Sequence, residues 1–322
     1  MKRREFILLL GVAATVWPLA ARAQSLSKVH RIGVLRVGEP PPSYIQPFLQ
    51  TLSHLGYVDG RNIIIEYGLA HSVEQLPDMA AELVRRRVDV VLASGTPSVM
   101  PAKNATNTIP VVFVGAIDPK AAGVVSNFAR PGGNVTGISS VFADLTGKRL
   151  ELLKEILPSL SRVVFLSRAA NPGHAHYAQE AELAARALQV DLQIILVSSP
   201  NEFEEAFRKA QGANAIVQVD DAMFTSERAR LVELAARHRL PVVYGPRDFA
   251  LLGGLSTLGP DYSDLYRRAA TYVDKILKGA KPGDLPVDQP ARYSLVINLR
   301  TARSLGLSIP PAVLARADEV IE

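Results

Sequence analysis

The sequence predicts an α/β protein with two lobes, each built around a doubly wound parallel sheet. The predicted strands are short, nearly continuous apolar runs, as is typical of strands buried on both faces, and amphipathic helices alternate with them. This alternation stops at a turn-rich segment, Arg130-Pro131-Gly132-Gly133-Asn134, and then resumes for a similar length. We therefore expect two α/β units of comparable size.

The first unit opens on a strand over Ile32–Leu35, followed by a Gly/Pro loop and a helix over Ile45–Leu55 that ends at Gly56. Strands and helices alternate from there. The further elements predicted in this unit are strands Ile63–Tyr67, Val88–Ala93, Pro110–Val114 and Val135–Ile138, and helices Leu76–Arg86 and Thr96–Ala105.

The second unit opens on a helix over Leu145–Leu157 that Pro158 ends. The same alternation follows. Its further predicted elements are strands Val163–Leu166, Leu192–Val197, Ala215–Val219 and Val242–Tyr244, and helices Ala175–Leu188, Phe203–Gln211 and Ser226–Arg239.

The remaining segment is too short for a third domain, so we expect it to pack on the two lobes. Lobe 1 then comprises residues 28–137 plus about 256–285, and lobe 2 comprises residues 138–255 plus about 290–322. Several crossovers between two sheets make a hinge with a cleft, and ligands of parallel sheets bind beyond the carboxyl ends of the strands. The elements predicted here are strands Leu255–Leu258 and Leu295–Ile297, and helices Leu265–Leu277 and Leu299–Leu305.

Residues 1–23 have the features of a signal peptide that is removed on export. A positive start, Met1-Lys2-Arg3-Arg4, precedes an apolar stretch that is short for a membrane span. Ala21-Arg22-Ala23 then offers small residues at the −3 and −1 positions of a cleavage site. Because Arg3-Arg4-Glu5-Phe6-Ile7 also resembles a twin-arginine signal, the Sec and Tat routes both stay open.

The charge and cysteine content narrow the function. Four of the 36 basic residues and one of the 31 acidic residues lie in the predicted signal, so its removal lowers the net charge from +5 to about +2. The nucleic-acid interpretation that a basic chain invites therefore loses its support. The chain has no cysteine, which excludes a lipid-anchored lipoprotein, disulfides and cysteine-based metal sites. An exported chain without a lipid anchor is expected in a periplasm.

Several segments that follow one another along the mature chain form a recognisable set. They are Val88-Asp89-Val90-Val91-Leu92-Ala93-Ser94-Gly95-Thr96-Pro97, Ile109-Pro110-Val111-Val112-Phe113, Asp118-Pro119, Pro131-Gly132-Gly133-Asn134-Val135-Thr136-Gly137, Gly147–Glu155, Tyr266–Gly279 and Leu295–Ala302. In this order they resemble the tryptophan-binding type of ABC transporter substrate-binding protein. The resemblance implies a type-I periplasmic binding fold and an ABC permease of the inner membrane as partner.

The segment Ser94-Gly95-Thr96-Pro97-Ser98 is the first candidate for ligand binding, because it joins a strand to a helix. Backbone N–H groups and the hydroxyls of Ser94, Thr96 and Ser98 would meet at a helix N-terminus, which attracts a carboxylate. From the residues alone an ordinary helix cap is the simpler interpretation. The resemblance favours ligand binding.

The other candidates are acids, an arginine and aromatic residues. Asp118 follows a strand and either lines the cleft or caps a helix, whereas Asp220 and Asp221 end a strand of lobe 2. The resemblance implies Asp221 as the partner of a ligand ammonium group. Arg168 departs from the family pattern and favours a further acidic group on the ligand. The aromatic candidates are Tyr44, Phe224 and Tyr262.

We therefore expect a monomeric solute-binding protein that delivers a small carboxylate-bearing ligand, for example an amino acid or an aromatic compound, to an ABC importer. A sensor that presents its ligand to a membrane receptor is the alternative, and an exported enzyme is a weaker one, because catalytic motifs are lacking. His174 and His176 are predicted to lie in a solvated loop or helix start. We expect no cofactor, no metal, no nucleic-acid partner and no membrane-inserted mature chain.

Overall fold

The computed structural model describes residues 29–120, 122–140, 145–171, 174–290 and 293–322. The predicted signal peptide lies outside the described residues. Among the residues that are described, no helix has both the length and the apolar character needed to cross a bilayer.

Lobe 1 is built on a five-stranded sheet in the order β2-β1-β3-β4-β5, and all neighbouring strands in it are parallel. Its residues alternate between two apolar layers: Ile32 and Val34 face one layer, and Leu35 and Val37 face the other. The elements are β1 (His30–Val37), α1 (Pro42–His54), β2 (Ile63–Ala70), a 3-10 turn (Val73–Gln75), α2 (Leu76–Arg85), β3 (Val90–Ser94), α3 (Thr96–Ala105), β4 (Val111–Ala116) and β5 (Val135–Ser139).

Lobe 2 is built on a seven-stranded sheet in the order β12-β11-β10-β9-β8-β6-β7. The pairs from β10 to β7 are parallel, and β11 runs antiparallel to β10. The elements are α4 (Leu145–Ile156), β6 (Arg162–Arg168), α5 (His174–Ala187), β7 (Asp191–Val197), a 3-10 turn (Pro200–Glu202), α6 (Phe203–Lys209), β8 (Ala215–Gln218), α7 (Ala222–Ser226), α8 (Arg228–Arg237), β9 (Val242–Tyr244), α9 (Asp248–Leu251) and β10 (Ser256–Pro260).

The C-terminal elements belong to both lobes. The helix α10 packs against α1 of lobe 1, and its residues Leu265, Ala269 and Val273 join the core there. Strands β11 and β12 extend the sheet of lobe 2. The elements are α10 (Tyr262–Leu277), a 3-10 turn (Pro282–Asp284), β11 (Tyr293–Asn298), α11 (Leu299–Ser304), α12 (Pro311–Arg316) and β12 (Glu319–Ile321).

The chain passes between the lobes after β5, after β10 and before β11. The sequence predicts residues from about 256 onward in lobe 1, but Ser256–Pro260 forms a strand of the lobe 2 sheet. Pairing decides this placement, because β10 hydrogen-bonds to β9 on one side and to β11 on the other. The return to lobe 1 therefore begins with α10. The predicted fold class, two doubly wound parallel-sheet lobes with a multi-crossover hinge, is confirmed.

Candidate ligand-binding site

The carboxyl ends of strands from both lobes face each other across the cleft. A cavity of about 30 Å³ lies there, which is room for about one or two water molecules. A larger ligand therefore needs the lobes to part. The cavity lining includes Arg36, Tyr44, Ser94, Gly95, Thr96, Asn171, Asp220, Asp221 and Tyr262.

The β3–α3 junction, the first candidate segment of the sequence, forms one wall of the cavity. Gly95 turns the chain there with a φ of +78°, and its N–H donates to Val114 O. No side chain caps α3. Instead, the Thr96 hydroxyl accepts from Ile117 N at 2.8 Å, and Ser94 Oγ lies 2.6 Å from Tyr266 OH. The hydroxyls thus fasten the junction to β4 and α10.

Ser98 lies behind this wall. It is buried, does not line the cavity, and donates from its hydroxyl to Ser94 O at 3.0 Å. The structure therefore places Ser94, Gly95 and Thr96 at the cavity and leaves Ser98 in a supporting position.

Arg36 is a cavity residue that our sequence reasoning missed. It is the penultimate residue of β1 and only 1% exposed, and its Nε donates to Val37 O at 3.2 Å. Among the described residues its Nη1 has no hydrogen-bond partner. A buried guanidinium nitrogen without a partner is costly, so Nη1 is available to an anionic ligand. The signal was an arginine that directly follows the apolar run Ile32–Leu35 at the carboxyl end of β1.

Tyr44 and Tyr262 form a second wall. Their rings are stacked with centroids 4.8 Å apart and planes 11° apart. Burial, followed by the charges of Asp248 and Asp220, holds the pKa of Tyr44 well above its usual value. Burial and Asp220 do the same to the pKa of Tyr262. Both phenols therefore keep their protons, and the Tyr44 OH has no hydrogen-bond partner of its own.

Asp220 lines the cavity from lobe 2, where its charge is balanced by Arg149. Arg149 Nη2 donates to Asp220 Oδ1 at 2.8 Å, and both side chains are at least nine-tenths buried. Arg149 also donates to Leu258 O and Gln218 O, so it ties α4 to the ends of β8 and β10. The second carboxylate oxygen of Asp220 accepts from Tyr262 OH at 3.4 Å.

The Asp221 side chain accepts more hydrogen bonds from the protein than the Asp220 side chain does. One of its oxygens accepts from Arg168 Nη1 at 3.3 Å and from Met223 N at 2.8 Å, so Asp221 caps α7. The other oxygen accepts from Asn171 Nδ2 at 2.8 Å. Arg168 is buried against Asp221 and does not line the cavity. The geometry therefore gives both residues partners within the protein.

His174 supports this end of lobe 2 from behind. It begins α5, in agreement with the predicted helix start, but it is buried, so the predicted solvated position is wrong for it. Arg168 N donates to His174 Nδ1 at 3.0 Å, which leaves the ring proton on Nε2 facing Asp220 O at 3.2 Å. Burial lowers the pKa of His174 below its ordinary value. The ring is therefore a neutral bridge between the two strand ends.

Two other candidates lie outside the cavity. Asp118 is half-buried, follows β4 with a φ of +37°, and does not line the cavity. Phe224 is fully buried and packs against Phe203 at a centroid distance of 5.8 Å, so it belongs to the core of lobe 2.

The two lobes touch around the cavity. Ser43 Oγ donates to Asp248 Oδ1 at 2.5 Å across the cleft. Gly38 of lobe 1 lies so near Ser226 of lobe 2 that an added Cβ would overlap the serine side chain. Gly95 is less close to lobe 2, because a Cβ added to it would make only an ordinary contact with Ala222, at 3.9 Å. These contacts describe a closed arrangement of the lobes.

A second cavity of about 370 Å³ lies on the hinge side of the tyrosine pair. Its charged lining residues are Arg247 and four acids, Asp248, Asp261, Asp318 and Glu319. Arg247 binds Glu319 through two hydrogen bonds. The buried Thr257 hydroxyl has no partner there. Within the described part of the chain, no group of three or more His, Asp or Glu side chains is placed to hold a metal ion.

Comparison with known proteins explains this arrangement of two lobes and a cleft. The family model described as ABC transporter substrate binding protein matches residues 42–321. The chain belongs to the ABC transporter substrate-binding protein family. It is therefore a substrate-binding protein of a family that works outside the cytoplasm, and the family is one of solute binders rather than of enzymes.

Three relatives are similar to this chain, one in sequence and two in both sequence and fold. A tyrosine-binding protein of Clostridioides difficile is 26% identical over 284 residues, which are 87% of this chain and 82% of that protein. A conserved domain protein of Vibrio cholerae O1 biovar El Tor has a TM-score of 0.85 at 28% identity, covering 91% of this chain and 100% of that one.

The third relative is an ABC domain from Streptococcus pneumoniae in complex with L-Trp. Its TM-score is 0.83 at 26% identity, and the match covers 91% of this chain and 99% of that one. The resemblance that the sequence motifs indicate, including the type-I periplasmic binding fold, is confirmed.

Proposed function

We propose that this substrate-binding protein captures a small carboxylate-bearing ligand in the interlobe cavity and delivers it to an ABC permease. The observation that carries the ligand chemistry is the buried Arg36 guanidinium, whose Nη1 has no partner in the described part of the chain. It lines the same cavity as the start of α3, where the helix dipole also favours a negative group. A carboxylate would bind the Arg36 guanidinium and would also be stabilised by the N-terminus of α3.

The relatives support this class of ligand. One is named for tyrosine and another was solved with L-Trp, and both compounds carry a carboxylate on an aromatic skeleton. Tyr44 and Tyr262 offer this chain flat, protonated surfaces for such a skeleton. Amino acids and aromatic acids are therefore the first compounds to test.

The delivery mechanism that we propose is hinge closure. The ligand binds while the lobes are apart, the lobes close on it, and the closed form docks on the permease, which reopens the lobes to release the solute. The crossovers between the lobes provide the hinge, and the Ser43–Asp248 contact is one of the bonds that closure forms.

We also propose the cell compartment and the state of the mature chain. Cleavage after Ala23 would release a chain without cysteine, and therefore without a lipid anchor, into the periplasm. In this proposal lobe 1 comprises the strands β1 to β5 with the helices between them, α10 and the 3-10 turn Pro282–Asp284. Lobe 2 comprises the other described elements, and the protein acts as a monomer.

Thermal unfolding of the mature chain, residues 24–322, tests the ligand class. A panel of amino acids, aromatic acids and aliphatic carboxylates is added in turn, and a ligand at about 100 times its Kd should add about 2.7 kcal/mol to the free energy of unfolding. Isothermal titration then gives the affinity. A shift with D-ribose or a divalent metal and none with any carboxylate would show that the proposed chemistry is wrong.

The partner is tested separately in membranes that contain the permease. Photo-crosslinking from an exposed residue beside the cleft should capture a permease subunit, and the ligand should increase the yield. Capture of a membrane receptor kinase instead would contradict delivery.

A further inference from the structure

We infer that the ligand is a monocarboxylate without an α-ammonium group, and that Arg36 selects it. This inference rests on the proposed function and narrows its ligand class. It follows from the charges of the cavity and of the residues directly behind it.

The cavity carries one positive charge in excess. Arg149 balances Asp220 at 2.8 Å, and Arg168 balances Asp221 at 3.3 Å. Arg36 is as deeply buried as these two arginines but has no carboxylate among its partners. Among the described residues that line the cavity, or that pair with those lining it, three arginines therefore face two aspartates. A ligand of net charge −1 makes the closed site neutral.

A zwitterionic amino acid would leave this excess in place, because its two charges cancel. Its ammonium group would also be buried on the carbon next to the carboxylate that binds Arg36. Asp221 has hydrogen-bond donors on both oxygens. Asp220 is neutralised by Arg149. The cavity thus has no unbalanced carboxylate for the ammonium, and burying such a charge is unfavourable.

The acids of the hinge-side cavity do not change this result. Tyr44 and Tyr262 line both cavities and stand stacked between them. An α-ammonium group is separated from its carboxylate by one carbon atom, so both groups must occupy the same cavity. Asp248 and Asp261 line the hinge-side cavity and not the cavity that Arg36 lines.

The test compares each amino acid with its desamino analogue by isothermal titration. The pairs are L-alanine and propionate, L-leucine and 4-methylpentanoate, L-phenylalanine and 3-phenylpropionate, and L-tyrosine and 3-(4-hydroxyphenyl)propionate. In the pair whose skeleton fits, we expect the desamino acid to bind at least about tenfold more tightly. Equal or tighter binding of the amino acid overturns the inference and leaves the proposed function intact.

The variant Arg36→Gln tests the selecting residue. It should lose at least about tenfold in affinity for the desamino acid, as expected when a charge pair loses one partner, while its Tm without ligand rises because a buried unpaired charge is gone. A merely structural arginine would lower the Tm. Arg303→Gln, at an exposed position of α11, is the matched control and should change neither value.

The remaining outcomes are also decisive. If Arg36→Gln raises the Tm but leaves the affinity for the desamino acid unchanged, the selecting role of Arg36 is wrong. If no compound of either series binds and D-ribose does, both this inference and the proposed carboxylate chemistry fail. Preferential binding of the desamino acid by the wild-type chain supports the inference even if Arg36→Gln does not fold.

Discussion

At the scale of single residues, the cleft is organised by the buried charges and their neighbours. Arg149 and Arg168 serve the architecture, because each neutralises an aspartate at the end of β8. Arg36 does not, and this difference marks it as the ligand-directed group. His174 holds the lobe 2 side in place through Arg168 N and Asp220 O without adding a charge.

His174 should make the stability of the protein dependent on pH. Burial lowers its pKa in the folded state below the ordinary value of 6.5, so below about pH 6.5 the unfolded state binds more protons than the folded state. The free energy of unfolding should therefore fall as the pH drops from about 6.5 towards the folded-state pKa, and His174 should contribute no slope above that window.

Denaturant unfolding between pH 5 and 8 measures this slope. His174→Asn keeps an acceptor near Arg168 N and cannot be protonated, so its slope should be shallower over that window. His176→Asn is the control, because the His176 side chain is 46% exposed, and it should retain the wild-type slope. An unchanged slope in His174→Asn would contradict the assignment.

At the scale of elements, the site depends on how β3, β4 and α3 are joined. Gly95 turns the chain with a positive φ that side chains rarely adopt. The Thr96 hydroxyl then accepts from the buried Ile117 N at the end of β4. This single bond fixes the start of α3 relative to the neighbouring strand, and therefore fixes one wall of the cavity.

Replacing this hydroxyl should cost stability. Thr96→Val keeps the shape of the side chain but leaves Ile117 N buried without an acceptor, so we expect a loss of about 1–3 kcal/mol in the free energy of unfolding. Thr96→Ser keeps the hydroxyl and should recover most of it. Chemical denaturation of both variants provides the measurement, and equal stability of the two would show that the bond is unimportant.

At the scale of the whole molecule, the proposed delivery requires the lobes to close tightly. Gly38 and Ser226 meet across the cleft with no room for a Cβ. Gly56 also has a positive φ in lobe 1, of +93°, but an added Cβ there meets no other atom within 4 Å. Both glycines thus have a positive φ that would strain an alanine, but only Gly38 contacts the other lobe.

Gly38→Ala and Gly56→Ala should therefore separate folding from closure. Each should lose about 1 kcal/mol of stability, because alanine is strained at a positive φ. Only Gly38→Ala should also lose ligand affinity and show a larger radius of gyration by small-angle X-ray scattering when ligand is present. Equal affinity in the two variants would mean that closure at Gly38 is not needed.

The sequence by itself determined the two α/β lobes, because buried parallel strands and amphipathic helices leave periodic patterns that depend on local burial. It also located the β3–α3 junction and Asp220 at the cavity, since the ends of parallel strands meet at one edge. It placed Ser256–Pro260 in the wrong lobe, because the partner of a short apolar strand is set by pairing over long distances.

The tertiary structure decided which charges are balanced. Asp221 and Arg168 look like free ligand groups in the sequence but bind each other, across 53 positions of the chain. Arg36 looks like an ordinary residue of β1 but is buried without a carboxylate. Hydrogen-bond partners in this protein come from distant segments, so local patterns predicted the strands and helices, and only the folded chain revealed the charge of the site.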